Sequence, residues 1–270
     1  MHNPEDHLRT LISKVQSNPK YQAIVPELVM HLSQEALNKG LNGKDAVKEI
    51  RNKLHQVGGA YFKRKVDYKE AAENLTHLPK DLHSDEVQQF CIQLMQSHAS
   101  TAERLSILPT FFHTCLNPIA PISSVLDLAC GLNPLSLSWM PLAKEFSYQC
   151  CDIYLDMMTF LQSFINHFQI DGKAHPCDLV SAAPSSHAQV ALLLKSMPCL
   201  EQLDKSIGAQ LLETIQADYI LVSFPVRSLG GQKKGMLRFY RDHFSEIVAK
   251  KRWTVQEFTF NTELAFLVSK

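Results

Sequence analysis

Apolar positions follow two different periods along this chain. Over roughly the first hundred residues they recur at helical spacing: Leu8, Leu11, Ile12 and Val15, then Leu28, Leu32 and Leu37, then Val47, Ile50, Leu54 and Val57. Each set forms a stripe on one face of a 3.6-residue repeat. Asn3-Pro4-Glu5-Asp6 starts the first helix with a proline and two acids in its first turn, and Gly40 stops the second. Asp85 to Met95 reads as another helix. Ser100 or Thr101 is expected to cap one that carries Glu103, Arg104, Leu105 and Leu108. From Ile122 onward, short unbroken apolar runs take over, at 122–128, at Val190-Ala-Leu-Leu-Leu194 and at 219–223. Such runs suit strands buried on both faces of a parallel sheet. Helical spacing returns at 154–168 and 201–217, and a short helix is expected from Leu135 to Leu142. Residues 253–260 and 263–268 read as a closing antiparallel pair around Asn261-Thr262. Pro118 and Pro121 mark the boundary before the first strand. The expectation is an α/β protein with a helical subdomain over 1–104 and a doubly wound sheet domain over 105–270.

Chemistry concentrates where the first strand ends, in Val125-Leu-Asp-Leu-Ala-Cys-Gly-Leu-Asn-Pro134. A strand, a glycine turn and a helix in that order form the ligand corner of a doubly wound sheet. A dinucleotide fingerprint needs three glycines, and this turn has only Gly131. It does have Asp127 within the strand end and a second acid, Asp152, about twenty residues on, at the end of the next strand. A carboxylate there can accept both ribose hydroxyls, so the pattern suits S-adenosylmethionine better than a nicotinamide cofactor. Asp178, at the following strand end, suits the exocyclic amine of adenine. Arg104 is placed near this corner, either to bind a carboxylate or to pair with Glu103 or Asp127. The sheet expected is that of a class I (Rossmann-like) S-adenosylmethionine-dependent methyltransferase.

Composition narrows the setting. Hydrophobic content of 45% and charge of 20% are ordinary for a soluble globular protein. There is no run of eighteen apolar residues and no signal peptide, so neither a membrane nor secretion is expected. Seven cysteines without C-x-x-C point to reduced thiols in a cytoplasm, and the twelve histidines lack ligand spacing, so no metal site is expected. A monomer is the default.

Formal net charge is zero, but its distribution is uneven. Between Lys39 and Lys69 nine basic residues stand against three acidic, and between Arg227 and Arg252 eight stand against two. The helix 44–57 turns Lys44, Lys48, Arg51 and His55 away from its apolar stripe, and Lys63-Arg64-Lys65 follows. After the strand at 219–223 comes a glycine-rich basic loop with Arg227, Lys233, Lys234 and Met236. Together these offer a face for nucleic-acid phosphates, and the loop could hold an extruded base. Solvated helix faces and a plain surface loop are the alternatives.

Four separated motifs carry a resemblance: His98-Ala-Ser-Thr-x-Glu-Arg104, Leu126-Asp-x-Ala-Cys-Gly-Leu-Asn-Pro134, Cys151-Asp-Ile153, and Ser223-Phe-Pro-x-Arg-Ser-Leu-Gly-Gly231 followed by Lys234-Gly-Met236. Gly59-Ala-Tyr61 and Thr262-Glu-Leu264 extend it nearly to both ends. The chain resembles the aminoglycoside-resistance 16S ribosomal RNA guanine methyltransferases, the Arm/Rmt group. That resemblance implies methylation of ring nitrogen 7 of a decoding-site guanosine within the assembled 30S subunit. It also implies that Arg104 holds the cofactor's carboxylate, that Gly131 passes beside the cofactor, and that Asp152 and Asp178 hold ribose and adenine. His98, Asp127, Asn133, Ile153 and Leu179 complete the implied cofactor set. Lys195, Arg227, Met236 and Glu263 match positions near the target nucleotide, with Glu263 as a carboxylate to offset charge on the methylated ring. Gln232 and Leu237 depart from the family's usual arginine and glutamate, which keeps open another ribosomal RNA nucleotide; a ribosome-binding protein without catalysis is a separate alternative.

Overall fold

A computed structural model describes residues 4–226 and 235–270. The N-terminal stripes fold as α1 (Pro4–Gln16), α2 (Pro26–Asn38) and α3 (Gly43–Val57), which bury Leu11, Val15, Leu28, Leu32, Ile50 and Leu54 against one another. Asn3, the expected start signal, lies outside the described residues. The sequence reading passed over α4 (Tyr68–Thr76), whose cap is Asp67: its carboxylate accepts the N–H groups of Lys69 and Glu70 at 3.0 and 3.2 Å. Ser84 caps α5 (Asp85–Met95), which has two acids in its first turn.

The helix expected at Ser100 starts earlier and is shorter. It is α6 (Ala99–Arg104), with His98 at the capping position. Thr101 is already inside the helix, and its hydroxyl donates back to the Met95 carbonyl at 2.7 Å instead of accepting an orphan N–H. After a bend, α7 (Leu108–Leu116) carries Phe111 and Phe112 into the core.

Seven strands form one sheet: β1 (Ile122–Leu128), β2 (Leu142–Asp152), β3 (Asp171–Pro176), β4 (Ala188–Leu194), β5 (Ala217–Pro225), β6 (Thr254–Thr259) and β7 (Glu263–Ser269). Their order is β3-β2-β1-β4-β5-β7-β6. β1 to β5 run parallel, and β7 is antiparallel to both of its neighbours. This is the sheet of the S-adenosylmethionine-dependent methyltransferase fold. Alternation assigns the faces. Val125, Cys150, Val190, Leu192 and Leu221 belong to the apolar cluster shared with the N-terminal helices, α7 and α8 (Leu155–His167). Leu126, Cys151, Ala191, Leu193 and Val222 belong to a second cluster, with α9 (Met197–Leu200), α10 (Ile207–Thr214) and α11 (Met236–Val248).

Two expected helices changed form. The turn after β1 becomes a 3-10 segment, Asn133–Trp139, and β2 begins at Leu142, well before Gln149. The helix expected over 201–217 is reduced to α10. Asp204 there accepts the N–H and hydroxyl of Ser206 at 2.8 and 2.7 Å, a local turn that competes with helix.

The N-terminal helices are tied to the sheet on both sides of one strand end. Val25 donates its N–H to the Ile153 carbonyl at 2.9 Å, and Leu155 donates to Ala23 at 2.7 Å. Phe62 bridges His98 in the same antiparallel manner. No helix among the described residues is long and apolar enough to cross a membrane.

Candidate active site

The strand order reverses between β1 and β4, so a crevice opens beyond their carboxyl ends. Both strand ends turn through left-handed backbone at residues that are not glycine, Ala129 at φ 49° and Lys195 at φ 59°. Such conformations carry strain and cluster at functional sites. A cleft with about 750 Å³ of empty space lies there. Ala129, Cys130, Asp152 and Ile153 line one side, Cys177, Asp178 and Leu179 another, and Lys195, Ser196 and Cys199 a third.

Gly131 makes this corner possible. It holds φ at 51°, and a Cβ there would come within 2.8 Å of the His98 ring. Its N–H donates to one Asp152 carboxylate oxygen at 2.8 Å, while the Ile153 N–H donates to the other at 2.7 Å. Burial pushes the Asp152 carboxyl above its ordinary value, and these amide donors pull the other way. Each oxygen keeps a second lone pair, so the bonds orient Asp152 without exhausting it. Asp178 is fixed in its own turn by Val180 N–H at 3.0 Å and Ser181 hydroxyl at 2.6 Å.

Beneath the cleft runs a buried ionic network. Arg104 is 2% exposed and its guanidinium grips Glu263, with Nη2 at 2.8 Å and Nε at 3.1 Å, while Nη1 donates to Asn133 at 2.9 Å. Glu263 also accepts from the Ser223 hydroxyl at 2.5 Å and faces the Lys195 ammonium at 3.4 Å. Lys195 in turn donates to Glu103 at 2.9 Å. Burial alone would push the Glu263 carboxyl up, but Arg104 and Lys195 hold it below its ordinary value. Asn133 passes the network on to Asp127, which accepts its amide at 2.7 Å and the Tyr148 hydroxyl at 2.5 Å. Burial raises the Asp127 carboxyl to about 6 despite both donors. Among the described residues, the second Asp127 oxygen, His98 Nδ1 and Ser196 Oγ are buried without a partner.

Of the residues singled out in the sequence, His98, Asp152, Ile153, Asp178, Leu179 and Lys195 line the cleft together. Arg104, Asp127, Asn133 and Glu263 form the layer below. Arg104 pairs with Glu263 and not with Glu103 or Asp127, the protein partners the sequence offered as the alternative to a ligand carboxylate, and Glu103 takes Lys195 instead. Glu263 is therefore a fully buried, neutralised carboxylate, because two cations converge on it. Met236 begins α11 beside Gly235, and Leu237 packs on the second apolar cluster. Arg227, Gln232, Lys233 and Lys234 lie outside the described residues.

Of the basic residues expected on one face, Arg51 is half-buried, while His55 and Arg64 are exposed along with the lysines. Lys44, Lys48, Lys63 and Lys65 are exposed. Arg51, expected on the outer face, turns back to the Lys14 carbonyl at 2.6 Å, because the last carbonyls of α1 have no helical partners. His55 faces the Lys20 ammonium at 2.9 Å. Arg64 is anchored on Ser97 Oγ at 2.9 Å and the Gln93 carbonyl at 3.1 Å.

Sequence reasoning missed the cleft residues supplied by the N-terminal helices: Leu28, Val57, Gly58 and Tyr61. Tyr61 stacks on His98 at 6.0 Å between ring centroids and accepts the Cys199 thiol at 2.7 Å. A Cβ on Gly58 would meet the Tyr154 hydroxyl at 2.6 Å. The Gly59-Ala-Tyr61 run carried that signal, but only as part of the family resemblance and not as a cleft wall.

A model of the family described as "Ribosomal RNA methyltransferase (FmrO)" matches residues 17–267. This chain belongs to that family. It is 32% identical over 274 residues to a protein of Frankia casuarinae named 16S rRNA (guanine(1405)-N(7))-methyltransferase, covering 98% of this chain and 93% of that one. A protein of the same name from Micromonospora rosea is 30% identical, with 98% of each chain covered. Among solved structures, the 16S rRNA methyltransferase RmtF in complex with S-adenosyl-L-homocysteine superposes with a TM-score of 0.83 at 30% identity, covering all of both chains. The 16S rRNA methylase RmtB gives 0.80 at 26%, covering 97% of this chain and 98% of that one.

Proposed function

We propose that this chain transfers a methyl group from S-adenosylmethionine to ring nitrogen 7 of a decoding-site guanosine of 16S rRNA, within the assembled 30S subunit, and so confers aminoglycoside resistance. The observation that carries the reading is a single cleft where Asp152, Asp178 and the left-handed turn at Ala129 converge, in a chain of a ribosomal RNA methyltransferase family. The relatives' shared name supplies the base and the ring position.

The donor set fits the cofactor. Asp152 has lone pairs left for ribose hydroxyls, Asp178 for an adenine amine, and Ile153, Leu179 and Leu200 offer apolar contact to a purine. Arg104 uses three of its five N–H groups on Glu263 and Asn133, which leaves two to donate to a cofactor carboxylate. The bound cofactor supplies an electrophilic methyl group. Ring nitrogen 7 of guanine already holds a lone pair, so no residue need act as a general base. The protein's contribution is alignment, worth as much as about 7–11 kcal/mol when reacting groups are held in line. Lys195, Arg227 and Met236 are assigned to the target nucleotide. Glu263 keeps Arg104 and Lys195 in place, a positioning role and not one of direct contact with the base. Lys44, Lys48, Lys63 and Lys65 are assigned to rRNA phosphates, making residues 1–104 the ribosome-binding subdomain.

The test is transfer of radiolabelled methyl to intact 30S subunits, naked 16S rRNA and 50S subunits in parallel, with the modified base mapped. Label confined to 30S at one decoding-site guanosine supports the reading. Label at another nucleotide replaces the target and leaves the enzyme. No label on any of them, with the cofactor bound, leaves a ribosome binder without catalysis.

A further inference from the structure

Three potential ligands for a soft metal meet at the adjoining ends of β2 and β3. Cys151 and His175 are directly paired in the parallel register of these strands, so their side chains leave the same face of the sheet. Cys177 follows His175 by two residues and returns to that face, held there by its N–H on the Asp152 carbonyl at 3.0 Å. The two Sγ atoms and a ring nitrogen of His175 all lie within 4.8 Å of one another. Cys150 points to the opposite face and packs with Cys130 in the other apolar cluster, so the set is sorted by the strand's alternation. The His175 Nδ1 atom is buried and has no partner among the described residues.

We propose that Cys151, His175 and Cys177 form a binding site for a divalent, borderline-soft ion of the zinc type. Tetrahedral coordination with Zn–S near 2.3 Å and Zn–N near 2.0 Å sets the ligand atoms about 3.5–3.8 Å apart. The side chains need to close by only about 1 Å to reach that geometry. Binding displaces one proton from each thiol, and two thiolates with a neutral imidazole balance the charge of a divalent ion. The site is therefore electrically neutral in a half-buried position, where an unbalanced ion would be costly. Cys177 lines the cleft and His175 is half-buried, so the fourth position opens to solvent. One consequence is structural: an ion here ties β3 to β2 immediately before Asp178, and fixes that carboxylate against the cleft.

Spacing alone hid this set, since Cys151 and His175 are far apart in sequence and only the parallel pairing joins them. The test uses the full-length reduced protein, stripped of metal and titrated with zinc against a chromophoric chelator. Cobalt(II) is used in parallel for its thiolate charge-transfer absorption. The expected result is one ion per chain, with the cobalt–thiolate band lost in Cys177→Ser and in His175→Asn. Both residues are half-buried, so these variants should keep the native circular dichroism even if Cys151→Ser does not fold. No uptake by the native chain, or uptake undiminished in both variants, overturns the proposal. Because the readout is metal binding, its failure leaves the methyl-transfer reading untouched.

Discussion

At the residue scale, the network under the cleft decides which groups are replaceable. Glu263 is fully buried and meets two cations. Losing its charge leaves Arg104 and Lys195 with Glu103 as the one carboxylate still in ion-pair range among the described residues. Breaking a buried pair from one side costs about 3–5 kcal/mol, which at this chain length lowers the melting temperature on the order of 10 °C. Glu263→Gln should show that loss in thermal denaturation. Adding Lys195→Met should restore part of it, since the second change removes the stranded cation. Equal losses from the single and double variants would argue against the network. A second prediction concerns pH. The Asp127 carboxyl rises to about 6 on folding, so the folded state binds more protons than the unfolded one between about pH 4 and 6. Its contribution to stability therefore falls as pH rises through that window, by about 3 kcal/mol. Burial lowers His98 to about 4, so there the unfolded state binds more protons and stability rises over the same range. The two slopes oppose each other. Asp127→Asn should unmask the His98 slope, making the melting temperature climb more steeply from pH 4.5 to 6.5 than in the native protein. Parallel profiles for the two proteins would refute the assignment.

At the scale of elements, the turn between β1 and the 3-10 segment is the least tolerant piece of chain. Gly131→Ala must hold an alanine at φ 51° and displace the His98 ring, which itself stacks on Tyr61. The expected effect is a loss of about 1–3 kcal/mol in stability, together with at least about ten-fold weaker S-adenosylhomocysteine binding by calorimetry. Unchanged affinity would mean that the cofactor does not pass beside this turn. Such elements were legible in the sequence for a plain reason. A buried parallel strand needs an unbroken apolar run, and a ligand corner needs a glycine and a carboxylate at fixed positions, so 122–134 and Asp152 carried both signals locally. What could not be read was pairing at a distance. Arg104 and Glu263 stand 159 residues apart, and nothing beside either names the other as partner. Thr101 looked like a cap because composition does not say whether a hydroxyl donates or accepts. The helix expected over 201–217 failed for the opposite reason, a strong periodicity overridden by one aspartate turn at Asp204.

At the scale of the whole molecule, the cofactor cleft and the proposed RNA face are built by different parts of the chain. The N-terminal helices place Gly58 and Tyr61 in the cleft wall, while α3 and the segment after it expose Lys44, Lys48, Lys63 and Lys65. Two of the arginines in this region, Arg51 and Arg64, donate to backbone carbonyl groups of the protein, Lys14 and Gln93, and are expected to matter for folding as well as for RNA. This division makes the two binding events separable. Replacing the four exposed lysines with glutamine should weaken binding to 30S subunits and flatten its dependence on salt, by about one unit of logarithmic slope for each phosphate no longer neutralised. S-adenosylhomocysteine affinity should stay as it was, because none of the four side chains lines the cleft. Asp152→Asn should do the reverse, abolishing cofactor binding and leaving the salt slope for 30S subunits unchanged. Filter-binding at several salt concentrations, paired with calorimetry, measures both. If the lysine variant kept the native slope, the RNA face would have to lie on α11 and residues 227–234 before it, where the second basic segment of the chain is found.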